Sequence, residues 1–299
     1  MPDWESLRFK YLRRVVGTAF TAIGFRRSTA IACALARGVY DLNSPGRKLA
    51  ERRLRAALGP TIPDAQRDAI VETAYEHIAR FWIETLFLPR KLAPQSWEHA
   101  VTFRGQTQPG EVVAKYPRCV LATCYFGNPA IAAYALGQVF QPVHVLVDFV
   151  AQPAARAFQE QLCRMPNVIP VSAADGARRM RNVLRGRGAV MMVVEHRRRS
   201  GPGAPASFLG EHGVFHTTPG RLAASFDAPV VPVLCRRRAG LFEFELWMGR
   251  PVAGDDPVAT TTDVLRQLDA QIRHWPEQYL WMIPPDLEGM SVADVRGVH

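Results

Sequence analysis

Apolar positions along the chain change their rhythm near residue 100. Before it they recur at helical spacing and no strand-like alternation appears. Val15 to Phe25 and Ser28 to Ala36 are short apolar runs separated by Arg26 and Arg27. Arg47 to Leu58 (RKLAERRLRAAL) is a basic amphipathic segment, ended by Gly59-Pro60. A longer run starts at Asp64, a capping residue. It passes through Ala69, Ala74, His77, Phe81 and Ile83 to Leu88, with Pro89 as its stop.

After residue 100, short apolar runs alternate with helix-like stretches. The strand candidates are Arg118 to Cys124, Val143 to Phe149, Val168 to Val171, Gly188 to Val194, Val230 to Arg236 and the half-exposed alternation Leu241 to Met248. The helix candidates are Ala130 to Phe140, a segment reaching Cys163, the basic stretch Ala173 to Arg187, Pro219 to Phe226 and Thr262 to His274. Strands alternating with helices at this spacing predict an α/β fold: a central mixed or mostly parallel sheet flanked by helices. Residues 1–100 form a helical N-terminal section and 101–299 the α/β core, in one structural domain, with no internal repeat or low-complexity linker.

Composition adds a partner class. The chain has 48% hydrophobic and 21% charged residues, enough to bury a substantial core. Its formal charge of +10 asks for an acidic partner: nucleic acid, an anionic membrane surface or an acidic carrier protein. Nucleic acid has only the charge in its favour. Interleaved aromatics, a helix-turn-helix signature and RNA-binding motifs are all missing, so no nucleic-acid partner is expected. Five scattered cysteines form no CxxC, which leaves no recognisable zinc site or disulfide framework and points to a reducing compartment. Neither early apolar run reaches the ~18–20 residues that span a bilayer. They suit either helices lying in a membrane interface, with Arg13, Arg14, Arg26 and Arg27 near lipid phosphates, or two ordinary core helices.

Four segments carry a family resemblance. Thr123-Cys-Tyr-Phe-Gly-Asn128 resembles the corner of the lipid A biosynthesis late acyltransferases and phosphatidylinositol mannoside acyltransferases, whose strand runs into His-Phe-Gly-Asn-Trp-Glu. Asp175 to Gly188 is similar to their basic helix before a strand. Thr217-Thr218-Pro219-Gly220-Arg221-Leu222-Ala223, with Ala228-Pro-Val-Val-Pro232, resembles Thr-Thr-Thr-Gly followed by Ala-Pro-Val-Val-Pro. Pro276 to Trp281 looks like their Pro-Glu-Gln-Tyr-x-Trp. All four fall in the family's order, between about residues 10 and 283. The resemblance implies transfer of a fatty acyl group from an acyl carrier protein or coenzyme A thioester to a lipid hydroxyl. A histidine would be the general base and a glutamate its orienting partner. It also implies the cytoplasmic side of an inner membrane, anionic lipids as partners, and no cofactor or metal beyond the acyl thioester co-substrate.

The reactive pair is what this chain lacks. Tyr125 stands at the histidine position and Ala130 at the glutamate position. A phenol of pKa about 10 is a poor base at neutral pH. Asp148-Phe149 replaces the family's Arg-Pro, Gln152-Pro153 echoes its Asn-Pro, Ile283-Pro284-Pro285 replaces a basic run, and Glu195 stands for its Asp. A substitute set is therefore expected from Cys124, Tyr125, Glu195 and His196. In it a Cys124 thiol, its pKa lowered by a helix N-terminus, would accept the acyl group and His196 would act as base. Cys124 also reads as an inert core residue. His196, like His212 and His216, also reads as an exposed loop residue. Substrate contacts are expected from Phe126, Gly127, Asn128, Arg164, Thr217, Thr218 and Arg221. Backbone N–H groups at the Gly127–Asn128 turn would hold a thioester oxygen. Thr217 and Thr218 also read as a helix cap. The basic residues Arg178, Arg179, Arg181, Arg185 and Arg187 and the run Arg197 to Arg199 suit phosphopantetheine, an acidic carrier or lipid headgroups, or a solvated face. A non-catalytic homologue that binds an acyl chain or carrier is the alternative function.

Overall fold

The structure, a computed structural model, describes residues 4–60, 62–147, 160–198 and 200–283, with side chains from residue 14 onward except those of 173 and 174. Four helices come first: α1 (Trp4–Ile23), α2 (Phe25–Leu42), α3 (Ser44–Leu58) and α4 (Asp64–Lys91). Gly24 and Gly59, both at positive φ, separate or end them. Helix α4 runs two residues past Pro89. A proline so near a helix C-terminus removes one backbone bond and does not stop the helix, and the Leu92 N–H still donates to the Leu88 carbonyl.

The α/β core follows: β1 (Val101–Gly105), α5 (Pro109–Lys115), β2 (Arg118–Thr123), α6 (Pro129–Phe140), β3 (Val143–Val147), β4 (Val168–Ser172), α7 (Ala173–Arg185), β5 (Gly188–Val193), β6 (Ala204–Phe208), β7 (Glu211–Phe215), α8 (Thr218–Phe226), β8 (Val230–Arg237), β9 (Phe244–Met248) and α9 (Pro257–Ile272). Among the described residues, seven strands form one sheet in the order β1-β9-β8-β2-β5-β3-β4. Strands β8, β2, β5, β3 and β4 are mutually parallel; β9 turns back antiparallel to β8, and β1 runs parallel to β9. The expected mostly parallel α/β sheet with a helical N-terminal section is what the chain forms.

Helices cover both faces of the sheet, so its central strands are apolar on both sides. Val120, Ala122 and Cys124 face one core with Val190, Met192, Leu54 and Val71. Cys119 and Leu121 face the other, with Ala189, Met191, Ile131 and Leu136. This two-sided burial explains the near-continuous hydrophobic runs of β2 and β5.

Helix α2 packs on α4 through Phe25, Thr29, Cys33 and Ala36. Its opposite face leaves Ile31, Leu35, Val39 and Leu42 exposed, beside exposed Arg26 and Arg27. None of the described helices is long and apolar enough to cross a membrane. The Arg13 side chain, Asp148, Phe149, Gln152, Pro153, Arg199, Pro284 and Pro285 lie outside the described residues.

Candidate active site

Strand β2 ends in the middle of the sheet, and its chain turns through Cys124 to Asn128 before α6 begins. Gly127 has φ +57°, and a Cβ there would lie 1.8 Å from the Cys235 carbonyl oxygen, so only glycine fits. Asn128 caps α6: its Oδ1 accepts from the N–H groups of Ala130 (3.0 Å) and Ile131 (3.2 Å), worth about 1 kcal/mol. Pro129 at the first helical position lacks a donor that would otherwise go unpaired.

Every backbone N–H from Tyr125 to Asn128 is already occupied. Tyr125 donates to Glu195 Oε1, and Phe126 to the Cys124 carbonyl (2.8 Å). Gly127 donates to the Gln278 carbonyl (2.8 Å) and Asn128 to the Cys235 carbonyl (2.9 Å). The expected thioester-binding role of these amides is therefore corrected. They bind the corner to β5, β8 and the segment after α9.

Two buried polar networks clamp the corner. In one, the Arg237 guanidinium donates from Nε to Glu84 Oε1 (2.6 Å), from Nη1 to His77 Nδ1 (3.0 Å) and from Nη2 to the Gly127 carbonyl (3.1 Å). Asn128 Nδ2 donates to the other Glu84 oxygen at 2.8 Å. Gln278 completes the network, accepting from the Arg237 N–H (2.7 Å) and donating to the Arg237 carbonyl (3.0 Å). His77 must be neutral to accept a guanidinium proton. Burial, then the charges of Arg237 and Arg80, pushes its pKa down to about 2.

The other network centres on Glu195, immediately after β5. Its carboxylate accepts from the Tyr279 hydroxyl as well as the Tyr125 N–H. Arg53 of α3 donates to Tyr279 Oη (3.1 Å), to Glu211 Oε2 (3.2 Å) and to the carbonyls of Trp281 (3.0 Å) and Ile283 (2.6 Å). Burial raises the Glu195 pKa, against the lowering effect of its two donors and Arg53. Pro276 to Trp281 thus supplies the side that closes both clamps. Its Tyr279 bridges Phe126, and its Leu280 N–H donates to the Tyr125 carbonyl at 3.0 Å.

Two titratable side chains from different strands meet beside this corner. Tyr125 and His196, at the carboxyl ends of adjacent parallel strands β2 and β5, are both half-buried. His196 Nε2 lies 3.2 Å from Tyr125 Oη, with ring centroids 5.6 Å apart. Burial, then the proximity of His216, lowers the His196 pKa to about 4, so the ring is neutral at pH 7. Open α/β sheets place ligands at this edge.

Cys124 has no exposed surface and faces the hydrophobic core. Burial, then the negative charges of Glu195 and Asp269, raises its pKa well above the usual thiol value. The expected acidification of this thiol is corrected: the shift runs upward, and the helix meant to lower it, α6, begins five residues later.

Thr217 sits at the N-cap position of α8 without a side-chain capping bond, and Thr218 and Arg221 are exposed on its first turns. Arg164 lies in the turn before β4, at the opposite edge of the sheet, and is not brought to the corner. Arg178, Arg179, Arg181, Arg185 and Arg187 are exposed on and after α7, with Arg178 paired to Asp175 at 3.2 Å. Arg197 reaches Glu211 at 3.7 Å, and His212 is exposed.

Sequence reasoning missed Glu84, Arg237, His77, Arg53, Gln278 and Tyr279 as parts of this site. The usable signal was charge in apolar surroundings: Glu84 among Ile83, Phe87 and Leu88, and Arg237 ending a strand of Val, Leu and Cys.

The model of the family described as bacterial lipid A biosynthesis acyltransferase matches residues 5–284 of this chain. A comparison with curated proteins finds no match.

Proposed function

Because the chain belongs to the bacterial lipid A biosynthesis acyltransferase family, we propose that it moves a fatty acyl group from an acyl carrier protein or coenzyme A thioester to a lipid hydroxyl. The observation that carries this reading is the half-buried Tyr125–His196 pair, set over a buried, fully bonded corner at the carboxyl ends of two central strands. Such a pair supplies acid–base chemistry at a fixed position, which attack of a hydroxyl on a thioester requires. With Cys124 sealed in the core, transfer proceeds directly between the two substrates and no acyl-cysteine forms.

In this reading the chain works at the cytoplasmic face of the inner membrane. The exposed apolar face of α2, flanked by Arg26 and Arg27, supports a helix lying among anionic lipids. The exposed arginines of α7 support an acidic donor such as a carrier protein. Incubating the purified chain with radiolabelled acyl carrier protein or acyl-coenzyme A and a bacterial lipid extract tests the reading. Alkali-labile labelled lipid is expected.

A second reading has an observation of its own. The corner's amides are all occupied and Ala130 offers no polar group, as in a homologue that binds acyl chains or carrier without turnover. Saturable binding of the acyl thioester with no labelled lipid favours it and overturns the first.

A further inference from the structure

We propose that Tyr125 and His196 form a proton relay, in which Tyr125 takes the proton of the acceptor hydroxyl while passing its own to His196. The inference rests on the acyl-transfer reading and deepens it by naming the residues that carry the proton. It replaces the arrangement expected from sequence, in which His196 would serve Cys124.

Geometry carries the assignment. His196 Nε2 and Tyr125 Oη are 3.2 Å apart, a hydrogen-bonding distance between a phenol and a neutral imidazole. Both side chains are half-buried rather than sealed in the core. The backbone of Tyr125 is held on both sides, its N–H on Glu195 and its carbonyl on the Leu280 N–H at 3.0 Å. His196 is held too: Val194 before it extends the ladder to Thr123 (3.0 Å), and Arg198 after it donates to the Val214 carbonyl of β7 (2.7 Å). The backbones around both members are thus tied to each other, to the segment after α9 and to β7. Preorganisation of this kind lets a proton move without first moving the groups that carry it.

A phenol alone is a poor base, because neutral tyrosine has no readily accepting pair backed by a sink for its proton. A neutral imidazole behind it supplies that sink. With the ring proton on Nδ1, Nε2 accepts from Tyr125 O–H. As the acceptor oxygen attacks the thioester carbonyl carbon, its proton passes to Tyr125 Oη and the phenolic proton passes to Nε2. The phenol is regenerated and the ring becomes imidazolium. Collapse of the tetrahedral intermediate breaks the C–S bond. The imidazolium then returns a proton through Tyr125 to the departing thiolate, so the products are ester and thiol and both residues regain their starting states.

The test compares wild type, Tyr125→Phe and His196→Gln by steady-state acyl transfer, with circular dichroism and urea midpoints to confirm folding. Loss of the relay is expected to lower kcat about 100-fold in each single variant, with the double variant no worse than either, since the two act as a unit. Imidazole 15N NMR of the histidine-labelled chain provides a second readout that a structural role would not move. Nε2 of His196 is expected to be the unprotonated, hydrogen-bonded nitrogen in wild type and to shift in Tyr125→Phe. Retained activity in either folded single variant overturns the relay, as does a proton on Nε2. A wild-type chain that transfers no acyl group removes the transfer reading and the relay with it. An active wild type with unaffected variants removes the relay alone.

Discussion

Replacing Arg237 by methionine should remove a large share of the protein's stability, and the reason is local. The Arg237 side chain is 7% exposed and that of its partner Glu84 also 7%. The substitution removes three donated bonds, at 2.6 Å to Glu84, 3.0 Å to His77 and 3.1 Å to the Gly127 carbonyl. Among the described residues, it leaves the Glu84 carboxylate in the core with Asn128 Nδ2 as its remaining donor. Breaking one side of a buried pair costs about 3–5 kcal/mol, against a net domain stability of about 5–15 kcal/mol. Glu84→Leu alone should cost a similar amount, because it strands the guanidinium. The double variant should cost less than the sum by at least about 2 kcal/mol, since no unpaired charge remains. Urea unfolding followed by far-UV circular dichroism measures wild type and the three variants, the four corners of the cycle. Additive costs within about 0.5 kcal/mol, or an Arg237→Met loss below about 1 kcal/mol, would refute the claim that this pair holds the corner.

Other consequences can be checked in the same preparations. Gly127→Ala forces a Cβ against the Cys235 carbonyl at a positive φ, so it should cost about 3 kcal/mol or more, and a urea midpoint equal to wild type would contradict the tight corner. His77 and His196 resist protonation in the folded state down to about pH 2 and 4, whereas the unfolded chain takes up those protons near pH 6.5. Stability should therefore be full above pH 6.5 and fall as the pH drops toward 4. The slope should approach about 1.4 kcal/mol per pH unit for each imidazole, and His77→Gln should remove one share of it. In the native protein a thiol reagent should modify exposed Cys163, while Cys124 reacts only on unfolding. Rapid native labelling of Cys124 would show that the corner opens.

Much of the fold was legible because both helix and strand periodicities were strong. The N-terminal helices and the strands β2, β3, β4, β5 and β8 fall near their expected places. The hairpin β6–β7 was missed because its two-residue turn is Leu209-Gly210, with Leu209 at positive φ, and lacks the usual Asn-Gly or Asp-Gly marker. Helix α9 starts five residues early because Asp256 caps it, accepting from Val258 (2.8 Å) and Ala259 (3.2 Å). At the site, the sequence marked the corner, Tyr125 and His196, but not their relationship. Residues 125 and 196 meet only because β2 and β5 are neighbours in a parallel sheet, an adjacency no local pattern encodes. Cys124 misled for a related reason: its rank beside Tyr125 says nothing about which face of the strand it takes, and alternation turns it inward. Ala130 and the occupied amides fit one picture. The backbone of the corner is bonded as scaffold, and Tyr125 and His196 meet half-buried beside it.

Acyl transfer by Cys124→Ala and Tyr125→Phe, assayed side by side with a labelled acyl thioester and intact-protein mass spectrometry, puts that picture to its sharpest trial. The alanine variant should keep at least about half of wild-type turnover with no acylated protein in either sample, while the phenylalanine variant loses about 100-fold. An acyl adduct on Cys124, or transfer that survives loss of the phenol but not of the thiol, would contradict it.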